Sequence, residues 1–137
     1  MLVCDTSGLI AYFDSSDRHH ARVMTTIEAD EGPFVISPYV LAEVDYLIAT
    51  RHGVQAELVV LEELSGGAWD LACCDREELR VARGLVERYS DQQIGVTDAS
   101  LVVLASRFRT DRLLTLDHRH FGVVRTINGR PFKLLPR

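Results

Sequence analysis

Two short apolar runs in this chain each close on an aspartate. Leu2-Val3-Cys4-Asp5 is followed at once by Thr6-Ser7-Gly8, and Leu113-Leu114-Thr115-Leu116 leads into Asp117. In an open α/β sheet the ligand crevice lies outside the carboxyl ends of the strands, so an acid in that place faces it. Two more acids, Glu43 and Asp98, fall on predicted helices beside the apolar stripes that should pack on the sheet. Four carboxylates in one crevice repel one another. At ~5 Å and an effective dielectric near 20, each ionised pair costs about 3 kcal/mol. A bound divalent cation is the simplest group to offset that cost, which points to a hard-metal site built from oxygen ligands.

Each acid also has a plainer reading. Asp5 makes a good helix N-cap, although Thr6 and Ser7 can take that role and leave it to the crevice. Asp117 suits a turn ahead of His118-Arg119-His120, and its place opposite Asp5 is what gives it interest. On the helix over 39–51, Glu43 and Asp45 flank the apolar stripe about equally, each roughly 100° from its centre. Tyr39, Val40, Tyr46 and Leu47 surround Glu43, which predicts that its side is the more covered. Asp98 opens the stripe of Leu101, Val102 and Ala105, and a carboxylate entering a buried face needs a partner or a metal. Otherwise it is a first-turn acid favoured by the helix dipole, beside Thr97 as cap. His19, His20, His118 and His120 read as surface polar residues, and Asp91 either supports the site or forms a turn. No phosphate-binding glycine loop or G-x-S-x-G elbow is present.

The elements that must position these acids alternate between strand and helix. Strands are expected over 2–4, 34–36, 68–73, 112–116 and 132–135. Helices are expected from Thr6 or Ser7 to Phe13 and over 19–29, 39–51, 54–64, 75–89 and 97–108. Glu31-Gly32-Pro33 and Ser65-Gly66-Gly67 are breaks, and 90–96 is a polar loop. Strands separated by helices imply a parallel sheet covered on both faces. The expected fold is α/β, a three-layer α/β/α sandwich with a mostly parallel sheet of about five strands, forming one domain over 1–137.

Composition bounds the setting. With 47% apolar and 26% charged residues, the chain can bury a core without disulfides or structural zinc. Neither an apolar membrane span nor a signal segment is expected. Cys4, Cys73 and Cys74 are odd in number and two are adjacent, which suits a reducing cytoplasm. The net charge of -5 is unevenly spread. From Arg107 onward eight basic residues face only Asp111 and Asp117, giving 8 - 2 = +6 and leaving -11 elsewhere. Such a segment is either a solvated face or a phosphate-contacting surface.

Taken in order, four motifs resemble those of the PIN-domain family, and more narrowly the VapC-type toxins of bacterial toxin–antitoxin pairs. They are Val3-Cys4-Asp5-Thr6-Ser7 with Leu9-Ile10-Ala11, Ser37-Pro38 with Leu41-Ala42-Glu43-Val44, Thr97-Asp98-Ala99-Ser100, and Thr115-Leu116-Asp117-His118-Arg119-His120-Phe121. The resemblance spans essentially the whole chain and implies a metal-dependent ribonuclease. On it, Asp5, Glu43, Asp98 and Asp117 would hold one or two Mg²⁺ or Mn²⁺ ions, with Thr6, Ser7 and Thr115 as supporting hydroxyls. It further implies an RNA substrate, a small antitoxin partner and a homodimer. Arg119 departs from the pattern, standing where relatives often carry a further acid, which leaves the metal count open. A phosphatase or receiver domain fits poorly, because Ser7 stands where the former wants a second aspartate and Lys133 is the only lysine. A non-catalytic module that keeps the acids as a charge patch is the remaining alternative.

Overall fold

A computed structural model describes every residue, Met1–Arg137. Five parallel strands form one sheet: β1 (Leu2–Cys4), β2 (Phe34–Ile36), β3 (Trp69–Leu71), β4 (Arg112–Leu114) and β5 (Lys133–Leu135). Their spatial order is β3-β2-β1-β4-β5. Every residue of β1 and β2 is buried, as central strands covered on both faces require. From β1 the chain steps outward to β2 and β3, then crosses back to place β4 on the other flank of β1. Since parallel crossovers are right-handed, this reversal puts the helices of the two halves on opposite faces. It also opens a gap between β1 and β4 at their carboxyl ends, the switch point where α/β sheets bind ligands.

The helices that border the gap have legible local causes. Helix α1 (Thr6–Phe13) starts directly after Asp5 and α2 (His20–Glu28) follows it. Helix α3 (Pro38–His52) is capped by Ser37, which accepts from the Tyr39 amide, with Pro38 at the first helical position. Gly53 ends α3 at a φ of 87° and leads into α4 (Val54–Leu64). Asp75 and Glu78 form a capping box at the start of α5 (Arg76–Arg88). Helix α6 (Val96–Arg107) buries every residue from Ala99 to Ala105. The Ser37 and Ser100 hydroxyls meet at 2.7 Å, fully covered, and so tie the start of α3 to α6. No helix is long and apolar enough to cross a membrane.

Several boundaries differ from those read in the sequence. β4 stops at Leu114, two residues short of the expected Leu116. Leu116 is already half-buried coil, and Asp117 caps a four-residue helix, α7 (His118–Phe121). β3 is half its expected length, its last residue exposed at the sheet edge. Gly95, not Thr97, caps α6, so Asp98 lies in its first turn with Thr97 inside the helix. A short 3-10 turn, Ser90–Gln92, interrupts the polar loop and carries Asp91 on an exposed surface.

Gly8 sets how closely α1 can lie on the sheet. A Cβ there would meet the Leu114 side chain and carbonyl oxygen at 2.8 Å. Gly84, on the exposed side of α5, has nothing within 4 Å of the same position. Urea unfolding should therefore separate the two. Gly8→Ala is expected to lose about 1–3 kcal/mol by overpacking, while Gly84→Ala gains roughly 0.5–1 kcal/mol of helix propensity. A neutral Gly8→Ala would mean that α1 does not press on β4.

Candidate active site

Asp5, Glu43, Asp98 and Asp117 all line one crevice of about 380 Å³ at the β1–β4 switch point. Asp5 is its buried floor, 5% exposed. Its backbone amide donates to Leu114 O at 2.9 Å, continuing the β1–β4 pairing by one residue. Its side chain both caps α1 and faces the crevice, so the two readings of this residue were never exclusive. Oδ1 accepts from the Thr6 amide at 2.8 Å. Oδ2 accepts from Ser7 Oγ at 3.0 Å and Thr115 Oγ1 at 2.7 Å. Burial pushes the Asp5 carboxyl above its usual range, and these three donors act against that.

The same two hydroxyls reach across the gap. Ser7 Oγ accepts from the Leu116 amide at 2.9 Å, and Thr115 Oγ1 accepts from the Asp117 amide at 2.9 Å. One small network thus joins the β1–α1 corner to the segment that carries Asp117. Ser7 and Thr115 hold the positions expected of supporting hydroxyls. The Thr6 hydroxyl is buried with no hydrogen-bond partner, and Thr6 reaches Asp5 through its backbone amide instead.

Asp117 caps α7, its Oδ1 accepting from the His120 amide at 3.0 Å. The His120 ring then folds back over the crevice. Its Nδ1 lies 3.0 Å from Asp98 Oδ2 and 3.1 Å from Asp117 Oδ2, between the two carboxylates. His120 is therefore not the surface residue that the sequence suggested. Its signal was present, since a histidine three residues after a capping acid shares that acid's face once a helix forms. The missing step was a helix as short as α7. Burial raises the Asp98 pKa to about 6, with Asp5 and Asp117 adding like charge and His120 opposing them.

Glu43 reaches the crevice from α3, yet its side is the exposed one, contrary to the expectation from its bulky neighbours. Asp45 is the more covered, because it turns toward α4. There it holds the Glu57 carboxyl above the usual range by hydrogen bonding and like charge. Asp17 and Arg51 also line the crevice, and no sequence pattern marked either. Asp91 and Arg119 do not line it.

As the side chains stand, no three acids or histidines converge closely enough to hold one ion. The chemistry of the lining nevertheless suits a hard cation. Every carboxylate in it offers oxygen alone, and Asp98 and Asp117 have already gathered around a single nitrogen that can carry positive charge.

Unfolding in a chelating buffer gives a direct check on this electrostatics. A carboxyl whose pKa is raised in the native state holds its proton more tightly there than when unfolded. Its contribution to stability is therefore present below pH ~4 and is lost as pH rises through about 6. Asp98→Asn lacks that loss. It should match the wild type near pH 4 and exceed it by on the order of 1 kcal/mol at pH 7.5, after discounting partial exposure. A gap independent of pH would mean that Asp98 is not under this strain.

The likenesses to known proteins agree with the geometry. A model of the PIN domain matches residues 2–125. Ribonuclease VapC26 of Mycobacterium tuberculosis (strain ATCC 25618 / H37Rv) is 52% identical over 135 residues, covering 98% of this chain and 100% of that protein. The crystal structure of Mycobacterium tuberculosis VapC20, a Sarcin-Ricin loop cleaving toxin, aligns with a TM-score of 0.80. Its identity is 15%, over 86% of this chain and 91% of that one. A toxin–antitoxin complex from Klebsiella pneumoniae aligns at 0.71 with 21% identity, over 90% and 92% of the respective chains. The two structures speak to the fold alone. A family pattern that runs through nearly all of the sequence, over a sheet whose switch point collects the four acids, makes this chain a member of the PIN-domain family.

Proposed function

We propose that the chain is a metal-dependent ribonuclease that hydrolyses RNA phosphodiester bonds, acting as the toxin of a toxin–antitoxin pair. The observation that carries this reading is the convergence of Asp5, Asp98 and Asp117 on one crevice, two of them around one nitrogen. The 52% identity to a ribonuclease over nearly the full length supports it. Asp5, Glu43, Asp98 and Asp117 would hold one or two Mg²⁺ or Mn²⁺ ions, which supply an activated water and neutralise charge developing at phosphorus.

The chain's own groups divide the remaining work. Ser7 and Thr115 fix the rotamer of Asp5, so this carboxylate needs no reorganisation to present its oxygens. Asp98, raised to about 6, is mostly ionised at neutral pH and ready to ligate. Glu43 is the acid most open to solvent and the best placed to orient an attacking water. Arg51 offers a crevice-lining cation to a phosphate of the strand being cut. The His120 ring lies against Asp98 and Asp117, two of the acids that would hold the ion. A small antitoxin that covers the crevice, a homodimer and a cytoplasmic location belong to the same proposal. The three free cysteines accord with that compartment.

The test is cleavage of total cellular RNA by purified protein with and without Mg²⁺ or Mn²⁺. Thr115→Val should slow it about 10–100-fold, the usual effect of removing a group that orients a ligand. Asp5→Asn and Asp98→Asn should lose more than that. Equal cleavage by all four proteins would expose a contaminant and end the assignment. Expression without an antitoxin should arrest growth, and normal growth at confirmed high soluble expression would remove the toxin role.

A further inference from the structure

The crevice that holds the acids is a poor place to attract a polyanion. Four carboxylates and Asp17 line it, against Arg51 and the His120 ring. Affinity for RNA has to come from elsewhere on the surface, and a cavity larger than the crevice offers it. This cavity, about 630 Å³, lies at the opposite edge of the sheet, where β4 begins. Arg109, Arg112, Arg130, Thr110, Thr126 and Asn128 line it, and only two of its ten residues are apolar. A tight loop closed by the Thr126–Arg130 backbone bond forms one wall.

The charges there are partly spoken for, and the remainder decides the sign. Arg112 pairs with Asp30 at 2.5 Å, and Lys133 pairs with Asp111 at 3.3 Å. Arg107, just outside, pairs with Glu78. Arg109 and Arg130 have no carboxylate partner, so two free guanidinium groups border the cavity. The carboxyl end of α6 opposes them with only about half a negative charge. Arg109 is also held in a left-handed conformation, φ 54°, as the residue that closes α6. Its amide donates to Ser106 O and the Thr110 amide to Ala105 O, a helix ending that usually takes glycine. The chain keeps an arginine there despite the backbone cost.

We propose that this cavity is a second anion site that grips the phosphate backbone of the RNA away from the acids; it rests on the ribonuclease reading above. Arginine, threonine and asparagine are the side chains that contact phosphate oxygens. A protein partner would need an apolar anchor, and the lining provides almost none. From Arg112 to Asp117 the chain spans at most about 17 Å when extended. Leu113, Leu114 and Thr115 between them are fully buried, so an RNA that touches both sites has to pass around the sheet rather than along β4. Arg125, exposed and unpaired beside the loop, extends the basic track. The -5 net charge of the chain is no obstacle, because Arg109 and Arg130 stand here without carboxylate partners.

Arg109→Gly removes the charge while relieving the left-handed backbone, so it should melt no lower than the wild type. Arg130→Gln is the second variant. Binding of a 30-nucleotide polyuridylate strand, measured in an Asp98→Asn background across a KCl series, should weaken about tenfold in the double variant. Its log Kd against log salt should flatten by roughly 1.4, the value for two single-strand phosphate contacts. With Asp98 intact, KM for total RNA should rise while kcat stays within about twofold. Unchanged affinity and slope, with cleavage intact in the parent, would overturn the anion site alone. A parent that neither binds nor cleaves RNA would overturn the ribonuclease reading, and this proposal with it. Loss of polyglutamate binding in the variants without loss of polyuridylate binding would overturn it in favour of an acidic protein partner.

Discussion

Asp5 is a charged group placed where the fold leaves almost no water, and the surrounding structure is arranged to make that tolerable. It sits at the corner where β1 stops and α1 starts, at the one gap between strands that diverge in opposite directions. Three donors hold its carboxylate, and two of them also accept amides from the segment after β4. The hydroxyls therefore do two jobs at once. They satisfy a buried acid, whose unpartnered burial would be costly, and they fix the distance between the two halves of the crevice. Gly8 belongs to the same constraint, since a side chain there would hold α1 away from β4 and loosen the corner.

The charges of the molecule are sorted by place. The acids collect at the carboxyl ends of the central strands, where burial and mutual repulsion raise Asp5 and Asp98 above the ordinary carboxylate range. Two arginines without a carboxylate partner, Arg109 and Arg130, border the cavity at the amino end of β4. Under the proposed function a polyanionic substrate would be gripped at one end of the sheet and cut at the other. Arg51 lines the crevice, and His120 lies against the oxygens of Asp98 and Asp117.

Much of this was readable from the sequence because the informative signals were local. A strand that ends on Asp5, a Ser-Pro start to α3 and an apolar stripe that begins at Asp98 each follow from a few adjacent residues. The parallel sheet follows from alternation of strand and helix along the chain. What escaped depends on tertiary placement. Glu43 and Asp45 are equivalent by angle on an isolated helix, and only the docking of α4 covers Asp45. β4 was expected to run to Leu116 because the apolar run does, whereas pairing with β1 and β5 stops at Leu114. Asp17 and Arg51 are brought to the crevice by the packing of whole helices, for which no short pattern exists.

Helix α7 has four residues, too few to persist in water unaided. Its place is secured by Phe121, 2% exposed and set edge-on against Phe132 with ring centres 6.3 Å apart. Asp117 is held also through its amide by Thr115 Oγ1, and both it and His120 ride on a peg driven into the far side of the core. Whatever tilts that aromatic peg swings the acid and the imidazole together, so the mouth of the crevice and the packing beneath β5 behave as one mechanical part.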